Sequence, residues 1–211
     1  MLDSCGGHTL KLVCQSPTYM SGTRPLVKKI ELIRKLSEID RRGVHVLTRR
    51  DIEKMFPDEG EKAMEKSLQR MVADGLLQRV AKGLYLNPAA TSKNRWIAEE
   101  IAKALRPGYL SYVSLESILS EYGVISQIPI NRMTVMTTGK SGVVDTPFGT
   151  IEFTHTKRGI AEIIKRTMLA KGRPLRIATK GAAIRDLLRV GRNANMIDQS
   201  ELDDESQGDD E

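Results

Sequence analysis

The chain has 211 residues, of which 40% are hydrophobic, 28% charged and only 4% aromatic. That composition suits one large or two small globular domains, with cores built from aliphatic side chains and Met. No apolar run approaches the ~18 residues of a membrane span, and the N-terminus lacks the basic-then-apolar order of a secretory signal, so a cytoplasmic protein with no membrane partner is expected.

The net charge of +6 conceals an uneven distribution. Every Lys and Arg lies at or before Arg192, and eight acids follow it, so the body carries 33 bases against 19 acids. A body this basic suits a polyanion, and nucleic acid is the commonest one; the alternative is an ordinary surface with many lysines. Cys5 and Cys14, with His8 between them, have neither the ligand number nor the spacing of a metal site. Residues 1–23 show no convincing periodicity and are expected to be a poorly ordered extension. Met20, directly before the first amphipathic helix, is a candidate start.

A first helix is expected over residues 25–41, where Leu26, Ile30, Ile33, Leu36 and Ile39 recur at helical spacing and Gly43 ends the run. A second begins at Thr48, with Asp51 three residues on as an Asp variant of the capping box. Leu47 and Ile52 sit at the positions of a hydrophobic staple. A third covers residues 59–74. Met64, Leu68, Met71 and Val72 form its buried stripe, while Lys62, Lys66, Gln69, Arg70 and Ala73 point the other way at 100° per residue. Two short apolar-rich strands, 76–80 and 84–86, flank the turn Ala81-Lys82-Gly83. Three helices and a hairpin, over residues 24–90, are the element order of a winged helix-turn-helix.

Residues 91–192 read as a second domain of mixed strands and helices, so the fold class is α+β. A helix is expected over 94–106, a helix capped by Ser114, strands at 133–138 and 150–154 joined by a long hairpin, a helix over 160–171, a strand at 175–178 and a helix capped by Thr179. From residue 193 to 211 the chain is polar and acidic and is expected to be disordered.

The third helix carries the clearest functional signal. A recognition helix docks one apolar face on its own domain and offers the other to base edges and phosphates. Lys62, Lys66, Gln69 and Arg70 supply that face; Arg pairs with guanine and Gln with adenine. Arg49 and Arg50 open the second helix, and Arg79 and Lys82 lie on the wing, where phosphate contacts are usual. No catalytic residues, metal or cofactor are expected. Gly139-Lys140-Ser141 has the end of a phosphate-binding loop but lacks its earlier Gly and its following helix. Asp145 and Glu152, with Lys157 beyond, keep a metal-dependent nuclease open as an alternative. His45 and His155 have no evident catalytic companion.

Several stretches together resemble one family. The wing Val80-Ala81-Lys82-Gly83-Leu84-Tyr85 is similar to the basic-Gly-x-Tyr wing of AbiEi antitoxins. Tyr109-Leu110-Ser111-Tyr112-Val113-Ser114-Leu115-Glu116-Ser117-Ile118-Leu119, then Tyr122-Gly123-Val124-Ile125 and Gln127-Ile128-Pro129, resemble its second-domain signature. So do Thr134-Val135, Ile151-Glu152-Phe153 and the last helix through Asp186-Leu187-Leu188. The likeness spans roughly residues 25–192. It implies an antitoxin of a type IV toxin–antitoxin, or abortive-infection, system. Such an antitoxin represses its own operon through double-stranded operator DNA with inverted repeats, and counters a nucleotidyltransferase-like toxin without a stable complex.

Residues 91–192 hold 17 bases and 8 acids. Lys157, Arg158, Lys165, Arg166, Arg173, Arg176, Arg185 and Arg189 are therefore candidates for a second, antitoxicity surface facing DNA or RNA; a solvated basic face is the alternative. A plain transcriptional regulator with a sensing or partner-binding second domain also remains open.

Overall fold

The structure is a computed structural model that describes residues 24–125, 130–191 and 196–197, with side chains from Lys29 onward. The expected N-terminal extension, with Cys5, His8, Cys14 and Met20, lies outside the described residues, as does residue 198 onward. The architecture is mixed α+β, with seven helices and two sheets among the described residues. No described helix is long and apolar enough to cross a membrane.

Helix α1 runs Arg24–Asp40, strand β1 Val46–Thr48, helix α2 Arg49–Met55 and helix α3 Glu61–Ala73. Strands β2 (Gln78–Ala81) and β3 (Leu84–Leu86) follow. The expected cap of α2 is present. Thr48 Oγ1 accepts from the Asp51 N–H at 3.2 Å, and the Asp51 carboxylate accepts from the Thr48 N–H at 2.9 Å. Both staple residues, Leu47 and Ile52, are buried. Helix α3 stops at Gly75, which takes φ +70° so that the N–H of Leu76 can reach back to Met71 O at 2.9 Å.

Strand β1 has no counterpart in the sequence reading. It pairs antiparallel with β3, giving a three-stranded sheet in the order β1-β3-β2. Alternation along β3 gives this sheet two apolar faces. Tyr85, with Leu47 of β1, joins the core of α1, α2 and α3 (Leu32, Leu36, Ile52, Met64, Leu68 and Met71). Leu84 and Leu86, with Val80, join the larger core of the second half instead.

That second half begins with helix α4 (Ile97–Leu105), which lies against β1 and β3 on one side and reaches β7 on the other. Strand β4 (Ser111–Val113), helix α5 (Glu116–Glu121), strands β5 (Arg132–Thr137), β6 (Gly142–Thr146) and β7 (Gly149–His155), helix α6 (Ile160–Lys165), strands β8 (Thr167–Met168) and β9 (Arg176–Ala178) and helix α7 (Lys180–Val190) complete it. The six strands form one sheet in the order β6-β7-β5-β4-β9-β8.

Four expectations are corrected here. The two strands expected to form a long hairpin, β5 and β7, are parallel; the hairpin is β6–β7, and β6 occupies the edge. Ser114 does not cap α5. Leu115 is the N-cap residue at φ +58°, and the Ser114 hydroxyl donates to Asp186 at 2.8 Å. The helix expected over 160–171 ends at Lys165, because Thr167 and Met168 pair with Ala178 and Ile177 of β9. The polar segment expected to be disordered from residue 193 contains Ile197, which is buried and bridges to Ile125.

Leu86 is 2% exposed in the core that the small sheet shares with the second half. Leu86→Ala should therefore cost about 2–5 kcal/mol in chemical denaturation. It should leave a single transition in which probes in α3 and in the six-stranded sheet melt together; two separated transitions would contradict a shared core.

Candidate nucleic-acid interface

Helix α3 turns Met64, Ser67, Leu68 and Met71 inward. At 100° per residue, the opposite side then carries Lys62, Lys66, Gln69 and Ala73, with Glu65 and Arg70 on its two flanks. All six are exposed, and the second half of the chain does not cover them. Beside this face the β2–β3 turn places Lys82 and Gly83. Gly83 takes φ +71°, and its carbonyl accepts from the Arg49 N–H at 2.8 Å, so the hairpin tip is tied to the first turn of α2. An open groove of about 680 Å³ separates α3 from the hairpin, lined among others by Arg49, Glu65, Gln69, Arg79 and Lys82.

The expected cations differ in how free they are. Lys62, Lys66, Arg70, Arg79 and Lys82 make no ion pair with another described residue. Arg70 leans back along its helix to Ser67 Oγ at 3.2 Å, and Arg50 is exposed at the start of α2. Arg49, expected among the phosphate contacts, is half-buried and already engaged. Its Nε donates to Glu53 at 2.7 Å and its guanidinium reaches Glu61 at 3.6 Å, tying α2 to α3. The Glu53 hydrogen bond holds the Arg49 pKa above its ordinary value. Arg49 thus bridges the two helices at their exposed edge.

The second basic surface is also corrected. Arg158 is 7% exposed; it pairs with the fully buried Asp186, donates to Tyr112 Oη at 3.2 Å and lies 3.3 Å from Glu162. Burial is the largest single influence and opposes its charge, but the hydrogen bond and charge of Asp186, with those of Tyr112, together outweigh it and raise its pKa. Tyr112, which donates to Asp186 at 3.1 Å, is pushed up to about 12 by burial and by that carboxylate.

Arg173 is 5% exposed, pairs with Glu99 and with Glu121 (2.6 Å), and stacks on Trp96 at 4.1 Å. Arg176 donates to Thr167 Oγ1 at 2.7 Å, Arg166 pairs with Glu162 and Arg189 with Asp186. Arg185 is half-buried and engaged. Of the eight, Lys157, Lys165 and Arg189 are exposed. The arginines expected to open this surface, Arg158 and Arg173 above all, therefore hold the second half together instead.

Asp145 accepts from Thr150 at 2.8 Å, and Glu152 pairs with Arg132 at 3.1 Å. Among the described residues no three His, Cys, Asp or Glu side chains cluster as metal ligands. A cleft of about 290 Å³ beside Trp96 is lined by Glu99, Glu121, Arg132 and Arg173, whose charges already face one another or Glu152.

A polar relay at the joint between the halves escaped the sequence reading. His45, 1% exposed, contacts Ser92 Oγ through Nδ1 at 2.9 Å and Glu100 through Nε2 at 2.7 Å. The Ser92 hydroxyl donates to Asp40 at 2.5 Å, so its proton is directed away from the imidazole and the trio is not set up as a nucleophile and base. Asp40 also accepts from both N–H groups of Thr91 and Ser92. These bonds, that from the Ser92 hydroxyl foremost, hold its pKa well below the usual carboxylate range. The relay ties α1, β1, the linker and α4 into one unit. Only spacing across about 50 residues, invisible to local periodicity, connects its members.

Compared with profiles of known families and with curated proteins, the chain matches none.

Glu99 supplies a test of the buried pairing. Burial raises its pKa and the bonds from Arg173 pull it back, with the balance above the ordinary value. A folded-state pKa above the unfolded one means that the fold binds the extra proton, so stability falls as pH rises between the two values. Arg173→Ala should cost about 3–5 kcal/mol near pH 7 by leaving Glu99 buried and uncompensated. It should also steepen that fall, so the deficit against the parent narrows as the pH drops toward 4.5. A deficit independent of pH would contradict the pairing.

Proposed function

We infer that residues 24–90 act as a winged helix-turn-helix that binds duplex DNA, with α3 as the recognition helix and the β2–β3 hairpin as the wing. The observation that carries this reading is the uncovered face of α3: Lys62, Lys66, Gln69 and Arg70 exposed, with Lys82 beside them on a tethered turn. An α-helix fits the major groove of B-DNA, and a strand of phosphates can pass along the groove between α3 and the hairpin. On this reading Gln69 and Lys66 meet base edges, and Arg79 and Lys82 meet the backbone. Arg49 positions these elements.

The resemblance of residues 25–192 to AbiEi antitoxins extends the reading to an autorepressor whose second half counters a nucleotidyltransferase-like toxin. The internal pairing of Arg158 and Arg173 favours a second half that acts through shape or a partner surface over one that grips a nucleic acid with those arginines.

Titration of the promoter duplex of its own operon against a random duplex of equal length tests the DNA reading. Gln69→Ala and Lys66→Ala should each cost about 1–3 kcal/mol on the operator and little on random sequence. Lys82→Ala should weaken both alike and lower the slope of log K against log salt by about 0.9. Coexpression with the neighbouring toxin should restore growth only with the second half present. Unchanged operator affinity in all three variants would reject this face.

A further inference from the structure

We propose that residues 198–211 dock on the outward face of α3 and the β2–β3 turn and, on the DNA-binding reading of that face, act there as an internal competitor of nucleic acid. This segment holds eight carboxylates and no base. Fully extended, its 14 residues span up to ~48 Å. That is roughly one negative charge every 6 Å, within a factor of two of a single nucleic-acid strand. The same chemistry that fits α3 to phosphates therefore fits it to this stretch.

Two structural observations give the segment a place to start and a place to go. Ile197, directly before it, is buried and bridged to Ile125, so the segment leaves from a fixed point on the body. A globule of this length has a radius of gyration of roughly 17 Å, hence a radius of about 22 Å, so ~48 Å of extended chain reaches about two-thirds of the way round it from its anchor to the opposite pole. The destination is selected by charge. Lys62, Lys66, Arg70, Arg79 and Lys82 share one helix and its adjoining hairpin and pair with no other described residue. In the second half Arg158, Arg166 and Arg173 are drawn into pairs with Asp186, Glu162, Glu99 and Glu121, which leaves Lys157, Lys165 and Lys171 among the competing exposed cations. A face occupied nine-tenths of the time loses about tenfold in apparent affinity for DNA. Sequences offering only phosphates would then compete poorly, and those adding base contacts would displace the segment.

The test compares the full chain with a full-length variant in which the eight carboxylates become amides, Asp→Asn and Glu→Gln. Fluorescence anisotropy with a random-sequence 20-bp duplex reads affinity. Carbodiimide coupling of the DNA-free protein, mapped by mass spectrometry, reads which lysines the carboxylates touch. The amide variant should bind the duplex about tenfold more tightly or better at low salt, with the gap closing as salt rises. Couplings in the parent should join residues 198–211 to Lys62, Lys66 or Lys82 within one chain and vanish when duplex is added. Equal affinities for duplex, absent couplings, couplings to Lys157, Lys165 or Lys171, or couplings between two chains would each overturn the proposal. Couplings to Lys66 and Lys82 in a protein that binds no duplex in either form would uphold the docking and overturn the DNA reading instead.

Discussion

A three-residue strand packed on both faces governs the arrangement of this molecule. In β3, Tyr85 points into the core of the first three helices while Leu84 and Leu86 point into the core of the second half. Burying three large side chains stabilises the fold by about 1.5–3 kcal/mol each, and period-two alternation divides them between two cores. The relay of Asp40, Ser92, His45 and Glu100 then ties the same joint with polar contacts. With the inner faces of α3 and the hairpin committed in this way, their outer faces are left to solvent.

Everything proposed about nucleic acid depends on that division. The apolar stripe of α3 is held against Leu32, Leu36 and Ile52, so its cationic side is presented at a fixed angle. Arg49, through Glu53 and Glu61, and the Gly83 carbonyl, through the Arg49 N–H, keep helix and hairpin in register. Fixed donors lose less entropy on contact than mobile ones. A rigid cationic platform is also a general polyanion trap, which is why a carboxylate-rich segment of the same chain has a physical role to play beside it.

Local signals in the sequence were legible where they depend on neighbours. Thr48 and Asp51 mark a cap, Gly75 a helix end, and the spacing of Met64, Leu68 and Met71 a buried face; all three features are present. Signals that depend on distant partners were not. Strand β1 is too short to show a period and exists because β3, some 38 residues on, pairs with it. The run Ile160, Ile163, Ile164 reads as a longer helix until the edge of β9 captures Thr167 and Met168. Alternation revealed β5 and β7 as strands but carries no information on their parallel pairing. Charge was the least legible property. Arg158 and Arg173 look like any surface arginines in the sequence, and only the fold brings Asp186 and Glu99, 28 and 74 residues away, against them.

The central claim is that the outward side of α3, and no other basic region, meets nucleic acid. Lysine footprinting measures this directly: the full-length chain with the eight carboxylates of residues 198–211 changed to amides is acetylated with and without saturating duplex DNA, and each lysine is quantified by mass spectrometry. The account predicts strong protection of Lys62, Lys66 and Lys82 by DNA and unchanged labelling of Lys165 and Lys171. Protection confined to Lys157, Lys165 and Lys171, with the α3 lysines labelled as freely as before, would contradict it.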